Sequence, residues 1–311
     1  MSGIDGFRSW VGGFGPTLQG MLWTTAAGLV FSLLNATMRM LTQEMNPLQA
    51  QFLRYLFGFI VMLPLVLRSG LARYRPNGMA GQLWRGAFHT AGLTLWFTAL
   101  PKIPLADMTA IGFTGPIFIM IGAALTLGEK MVPARWIAAL IGFGGVMIVM
   151  GPKLGGSGGH YNLIMLAAAP MFAGSFLITK ALTRRDSAEV IVVWQCITVA
   201  LFTLPMAVAV WVWPTITQWA WFVIAGVLGS AGHYLLTRSF GVADISATQS
   251  VKFLDLIWSA MLGYLVFSDV PSRSTIIGGL VIVAATVWIA RREARSRPRT
   301  QPAREVVTDE I

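Results

Sequence analysis

Ten apolar runs follow one another along this chain, at 18–41, 47–67, 81–100, 105–127, 134–151, 161–181, 188–212, 216–237, 244–267 and 274–290. At ~1.5 Å rise per helical residue, runs of this size match a ~30 Å hydrocarbon layer. Backbone polar groups have no water partner there, so each run closes its hydrogen bonds internally as a helix. A soluble bundle of such helices would need polar faces. The composition leaves none to spare: 55% of residues are hydrophobic and only 12% charged, against ~25% charged in soluble domains. The expected class is an all-α integral membrane protein.

The linkers carry the topology. They are short and hold Pro, Gly or charge: 46–47, 68–78, 101–104, 128–133 and, at the midpoint, the glycine-rich 151–162. With ten spans both termini share a side. Arg8, Arg68, Arg73, Arg75, Arg85, Lys130, Arg135, Lys180, Arg184, Arg185, Arg238 and the arginines after 290 fall on that side, against Arg39, Lys102, Lys153 and Arg273 on the other. The bias places both termini in the cytoplasm and the protein in a bacterial-type inner membrane. The net charge of +10 is thus a headgroup-facing fringe rather than a nucleic-acid surface. Residues 1–17 lack the apolar core of a signal peptide, which makes the first run a retained span. The charged stretch 291–311 reads as a disordered tail. Cys196, the single cysteine, excludes an intrachain disulfide.

The second half repeats the first. At an offset of 141, spans 1–2 match spans 6–7 through Leu22/Leu163, Ala26/Ala167, Ala27/Ala168, Phe31/Phe172, Leu41/Leu182, Thr42/Thr183, Leu63/Leu204 and Pro64/Pro205. At 140 the later spans match more weakly, through Leu125/Leu265, Ile137/Ile277 and Leu140/Leu280, with Glu129 opposite Asp269. Five spans per copy is an odd number, so the second copy enters the membrane upside down. The expected plan is a 5+5 inverted repeat, with halves at 18–151 and 161–290 joined by 152–160. Such repeats belong to secondary transporters that hold solute near mid-membrane and expose it to each side in turn.

This plan, together with Gly115-Pro116-Ile117-Phe118, the corner Leu127-Gly128-Glu129, Arg54-Tyr55 and a glycine-rich fifth span, resembles the EamA-type drug/metabolite transporter superfamily over residues 18–290. Within it the chain resembles the YddG-like amino-acid exporters. The second copy departs from the pattern, with Asp255-Leu256 where Gly115-Pro116 stood. The resemblance implies a cavity between spans 1, 3, 4 and 6, 8, 9, with spans 5 and 10 outside it as scaffold.

Polar residues inside spans are the candidates for a solute site, because charge in lipid is costly and turns toward protein or water. Lys252 and Asp255 share a face of span 9. They read either as cavity groups for a zwitterion or as a mutually neutralised pair, and Gln249 and Trp258 lie near the same stripe. Arg54 in span 2 reads as a structural charge, clamped on a carbonyl or on Asp107; its repeat partner is Gln195. Pro116 should kink span 4 beside the cavity, near Phe113; Pro170 in span 6 invites the same argument. His89 and Trp96 share a face of span 3. His233, Asn35, Ser32 and Ser175 complete the set, with hydrogen-bonded helix packing as the alternative reading for each. Gly142, Gly144, Gly145, Gly278 and Gly279 read as close-packing sites.

The expectation is a transporter exporting small metabolites, amino acids foremost, by alternating access. Its partners are the solute, membrane lipids and no nucleic acid, with self-association left open. No cofactor or metal is expected, and no HExxH or Walker motif is present. Efflux of drug-like or other metabolites is the alternative on the same scaffold. An intramembrane lipid-modifying enzyme, with Lys252 and Asp255 as its only chemistry, is the alternative of another class. A sensor that only keeps the transporter scaffold is a third.

Overall fold

The computed structural model describes residues 13–103, 108, 111–112, 114–130, 132–150, 159–249, 251–268, 270 and 273–295. Its first half holds α1 (Pro16–Glu44), α2 (Pro47–Ser69), α3 (Met79–Ala99), α4 (Gly115–Thr126) and α5 (Pro133–Met150). The second holds α6 (Gly159–Leu182), α7 (Ala188–Ala209), α8 (Ile216–Val242), the two pieces α9a (Ile245–Gln249) and α9b (Asp255–Phe267), and α10 (Arg273–Arg295). Pro16 and Pro47 open α1 and α2 where a backbone donor would be unused anyway. Asn46, Ser187 and Thr215 cap α2, α7 and α8, the last through a reciprocal capping box with Gln218. By length and hydropathy α1, α2, α7, α8 and residues 163–182 of α6 can each cross a membrane, while α4 and α9b are shorter apolar helices.

The packing is two-fold symmetric in its pairings. α1 packs along α8, and α3 along α6; exchanging the two halves turns one pair into the other. The α2–α7 and α5–α10 pairs map onto themselves, and α4 against α6 mirrors α9b against α1. Side chains repeat the rule. The ring of Phe31 lies where a Cβ on Gly232 would come within 2.8 Å of it, and its repeat partner Phe172 lies within 3.1 Å of a Cβ on Gly92. Each glycine admits a ring from the other half, so the interface between halves is built from matched notches. In the α5–α10 pair, a Cβ on Gly145 would lie 2.9 Å from the Gly278 carbonyl oxygen, the close approach expected of small residues in membranes.

Four expectations need correction. Span 4 is not one helix kinked in its middle: Thr114 forms a turn, and α4 begins at Gly115 with Pro116 in its first turn. Span 9 is not continuous either. α9a ends at Gln249, Lys252–Leu254 forms a 3-10 turn, and α9b begins at Asp255. Arg85, placed above among the headgroup-facing charges, is 1% exposed and sits among helices. At the C-terminal end, α10 continues past 290 to Arg295.

Candidate functional site

The breaks in spans 4 and 9 face one cavity of about 180 Å³. Its walls come from α1, α2, α3, α4, α6, α8 and span 9. The position of each lining residue along its helix fixes where the cavity lies. On α1 the lining runs from Phe31 to Met38, on α3 from His89 to Phe97, and on α6 from Met165 to Phe176. These stretches occupy the middle of the bundle and the half remote from the N-terminus of α1.

The opposite half is shut by polar contacts. Thr24 and Ser239 share a hydrogen bond of 2.8 Å, and the Ser239 hydroxyl also donates to the Gly20 carbonyl at 2.7 Å. Lys180 on α6 donates to the carbonyls of Phe240 and Ala243 at the end of α8, each at 2.7 Å. Glu129, in the corner between α4 and α5, accepts from the Ile245 and Ser246 amides at 2.8 and 3.1 Å and from the Ser246 hydroxyl at 2.7 Å. Arg135 adds an ion pair to Asp244 at 3.2 Å. Carboxylate oxygens on free helix-start amides are among the stronger hydrogen bonds available to a chain. The corner of the first half therefore holds the entry to span 9 of the second.

Aromatic rings make up most of the apolar wall. Phe172 lies 5.3 Å from His89 and 5.8 Å from Trp96, both edge-to-face, and Phe31 lies 4.9 Å from His233. His89 and His233 themselves meet at 5.2 Å. The Tyr55 hydroxyl bridges their Nε2 atoms, at 2.8 Å to His89 and 3.4 Å to His233. On its other side His89 Nδ1 reaches Ser175 Oγ at 3.1 Å. Behind this layer the Arg85 guanidinium donates to Thr179 Oγ1, to Gln195 Oε1 and, at 2.7 Å, to the Ile191 carbonyl.

Charge enters the wall at three points. The Arg54 guanidinium stacks on Tyr55, 3.8 Å from the ring centre. The Lys252 ammonium stands 5.2 Å from the Phe176 centroid. Asp255, at the first position of α9b, packs its carboxylate onto α1 at Gly28, where any side chain would collide with it. Gln249 turns an amide with an unpartnered oxygen into the same region.

The structure thus brings Ser32, Asn35, His89, Trp96, Pro116, His233, Gln249, Lys252 and Asp255 to one cavity, and places Arg54 there as well. Ser175 stands one contact behind, through His89. Trp258 is not on the wall; its indole nitrogen is buried without a hydrogen-bond partner. Phe113 and Asp107 lie outside the described residues. Tyr55, Phe31, Phe172 and Phe176 line the cavity without having been singled out as site residues. The Phe31/Phe172 repeat match and the Arg54-Tyr55 pair pointed toward three of them, and nothing pointed toward Phe176. Among the described residues no group of three or more His, Cys, Asp or Glu side chains could hold a metal ion.

A family model for EamA-like transporters matches residues 18–151 and again residues 160–291. The chain belongs to the EamA-like transporter family. It is a ten-helix, two-repeat membrane transporter, not an enzyme, and the inverted 5+5 plan holds. A riboflavin transporter of Rhizobium johnstonii is 34% identical over 279 residues, covering 89% of this chain and 92% of its own. An S-adenosylmethionine uptake transporter of Rickettsia prowazekii is 27% identical over 282 residues, covering 90% and 95%. A pseudopaline exporter of Pseudomonas aeruginosa is 28% identical over 275 residues, covering 88% and 96%. A solved crystal structure superposes with a TM-score of 0.70 over 88% of this chain and 97% of its own, at 20% identity, which bears on fold alone. These relatives are named for metabolites, inward and outward, and none of the three for a common amino acid. Metabolite transport stands; the narrower amino-acid expectation does not follow from them.

Proposed function

We propose that this transporter moves a metabolite with a flat aromatic or heteroaromatic part across the bacterial inner membrane, by alternating access at the cavity between the halves. The observation that carries the reading is the wall itself: Phe31, Tyr55, Trp96, Phe172 and Phe176, with two histidines, enclose a space of about 180 Å³. Aromatic edges and faces give stacking contacts to a planar solute beyond the area they bury. The riboflavin transporter of Rhizobium johnstonii makes riboflavin the first compound to test. The Lys and Arg bias puts the termini in the cytoplasm, so the polar closure of Glu129, Lys180 and Ser239 is the cytoplasmic gate. In this state the cavity belongs to the periplasmic half. Residues 18–151 and 161–290 are then the two moving halves, with 152–160 as their link.

The test is uptake of labelled riboflavin into proteoliposomes, compared with empty liposomes. Saturable uptake that falls in Trp96→Ala and Phe172→Ala supports the reading; uptake equal to that of empty liposomes removes riboflavin. Amino-acid export is the second reading. It is favoured by one observation, the separate positions of Lys252 and Asp255 on the wall, which could meet the two charges of a zwitterion. Release of preloaded labelled amino acids from the same vesicles tests it, and no release of any amino acid eliminates it.

A further inference from the structure

The fixed charges of the cavity do not cancel. Arg54, Lys252 and Asp255 line it: two cations and one anion. Arg54 is 4% exposed and meets the ring of Tyr55 rather than a carboxylate. Lys252 meets the ring of Phe176. Among the described residues neither forms an ion pair within 4.0 Å. Asp255 packs against Gly28 of α1, within electrostatic reach of Lys252 but not in an ion pair with it, so it offsets one of the two cations at most. One layer back, Arg85 gives its hydrogen bonds to a hydroxyl, a carbonyl and an amide, all neutral.

The backbone adds to the same sign. α4 starts at the cavity, and its first turn holds no acidic residue. The Thr114 hydroxyl turns back to the Ile111 carbonyl at 3.0 Å, Pro116 has no amide proton, and the Ile117 and Phe118 amides donate to the Thr114 carbonyl at 3.1 and 3.5 Å. A Cβ on Gly115 would meet nothing within 4 Å, so the helix start is open. The aligned peptide dipoles of α4 still place the positive end of the helix there, a smaller term than the two side-chain cations. Unbalanced cations inside a bilayer are costly, and a solute that brings the missing negative charge lowers that cost.

We infer that the solute carries a net negative charge: an aromatic body bearing a carboxylate or a phosphate monoester, its anionic end between Lys252, Arg54 and the start of α4. This rests on the transport reading above and narrows its substrate class. A sulfonium-bearing solute such as S-adenosylmethionine would meet like charge here.

The test uses two matched pairs of probes on the full-length protein in proteoliposomes: riboflavin against riboflavin 5′-phosphate, and indole-3-acetamide against indole-3-acetate. Uptake and ligand-induced change in melting temperature are read for each. The anionic member of a pair is expected to bind about ten-fold tighter, the size of one charge-assisted hydrogen bond. Lys252→Gln should bring that ratio close to one, and Lys252→Arg should keep it. Arg54→Gln provides a second variant should Lys252→Gln fail to fold. Neutral probes bound as well as anionic ones overturn the charge assignment and leave aromatic transport standing. Preference for indole-3-acetate with no binding of either flavin upholds the charge assignment and removes the flavin class. A preference that survives both glutamine substitutions, or no response to any of the four probes, overturns the inference.

Discussion

Spans 4 and 9 are repeat equivalents, and both are interrupted where they meet the cavity, yet they are interrupted by different means. Gly115-Pro116 opens α4, and 140 residues later Asp255-Leu256 opens α9b. The first break is made of backbone-altering residues and has no charge. The second has no proline or glycine among its described residues; Lys252–Leu254 form a 3-10 turn and Asp255 opens α9b, so the break carries both signs of charge. α9b has its own acid at the positive end of the helix, and α4 has none. The duplicated requirement is therefore geometric: each half must end a helix at mid-membrane. The chemistry is not duplicated, because only the second break brings charged side chains of its own to the cavity.

The largest effect should come from stripping charge from the second break. Lys252→Ala is expected to lower uptake of the preferred solute by about ten-fold or more, since truncating one charged hydrogen-bonding partner removes ~1.5–3 kcal/mol. Melting temperature, read alongside, should not fall, because the ammonium makes no ion pair within 4.0 Å with a described residue and its charge is costly inside the bundle. Uptake equal to that of the unaltered protein would mean that the two breaks are chemically alike.

Giving the first break the acid it lacks sharpens the contrast. Gly115→Asp places a carboxylate at the start of α4, where there is room for a side chain. An acid in a first turn stabilises a helix by ~0.3–1 kcal/mol, so the protein should melt slightly higher. The same charge would occupy the open helix start, and uptake of an anionic solute should fall about five-fold, the equivalent of ~1 kcal/mol. A neutral solute of the same shape should be spared.

The closed half offers a third comparison, since Glu129 of the first half caps span 9 of the second. Glu129→Gln weakens that cap by ~1 kcal/mol. A cysteine at position 249, in a Cys196→Ser background, should then react about five-fold faster with an impermeant maleimide applied from the side of the termini, in proportion to the lost cap. Unchanged labelling would show that Ser239 and Lys180 hold the gate without it.

The two breaks also mark how far the sequence could be read. Spans, their alternation and the inverted duplication were visible because lipid tolerates few alternatives to an apolar helix, and a 140-residue offset survives in pairs such as Leu63-Pro64 and Leu204-Pro205. Polar residues within spans were visible for the same reason, and the structure sets most of them around one space. The break in span 9 was hidden, because it has no proline or glycine to mark it and its pieces pack against α1, a contact the local sequence does not display. Arg85 was misplaced because it lies near the start of its span and its partners, Thr179, Ile191 and Gln195, are far along the chain. The aromatic wall was equally hidden. A phenylalanine that faces solute and one that faces lipid have the same hydropathy, and only three-dimensional pairing separates them.

Pro116→Ala should have the smallest effect, and it asks whether proline causes the first break or only fits it. Inside a helix a proline costs ~3 kcal/mol or more and removes a hydrogen bond. Here Pro116 stands in the first turn of α4, where the missing donor has no partner to lose. The open turn at Thr114 and the glycine beside it remain in the variant. Alanine should therefore leave the break in place, change stability by less than ~1 kcal/mol and alter uptake by less than about two-fold. Hydrogen exchange of the 114–118 amides reads the outcome directly. Strong new protection there, with a continuous helix through span 4, would make proline the cause, and the two breaks would then differ in origin as well as in charge.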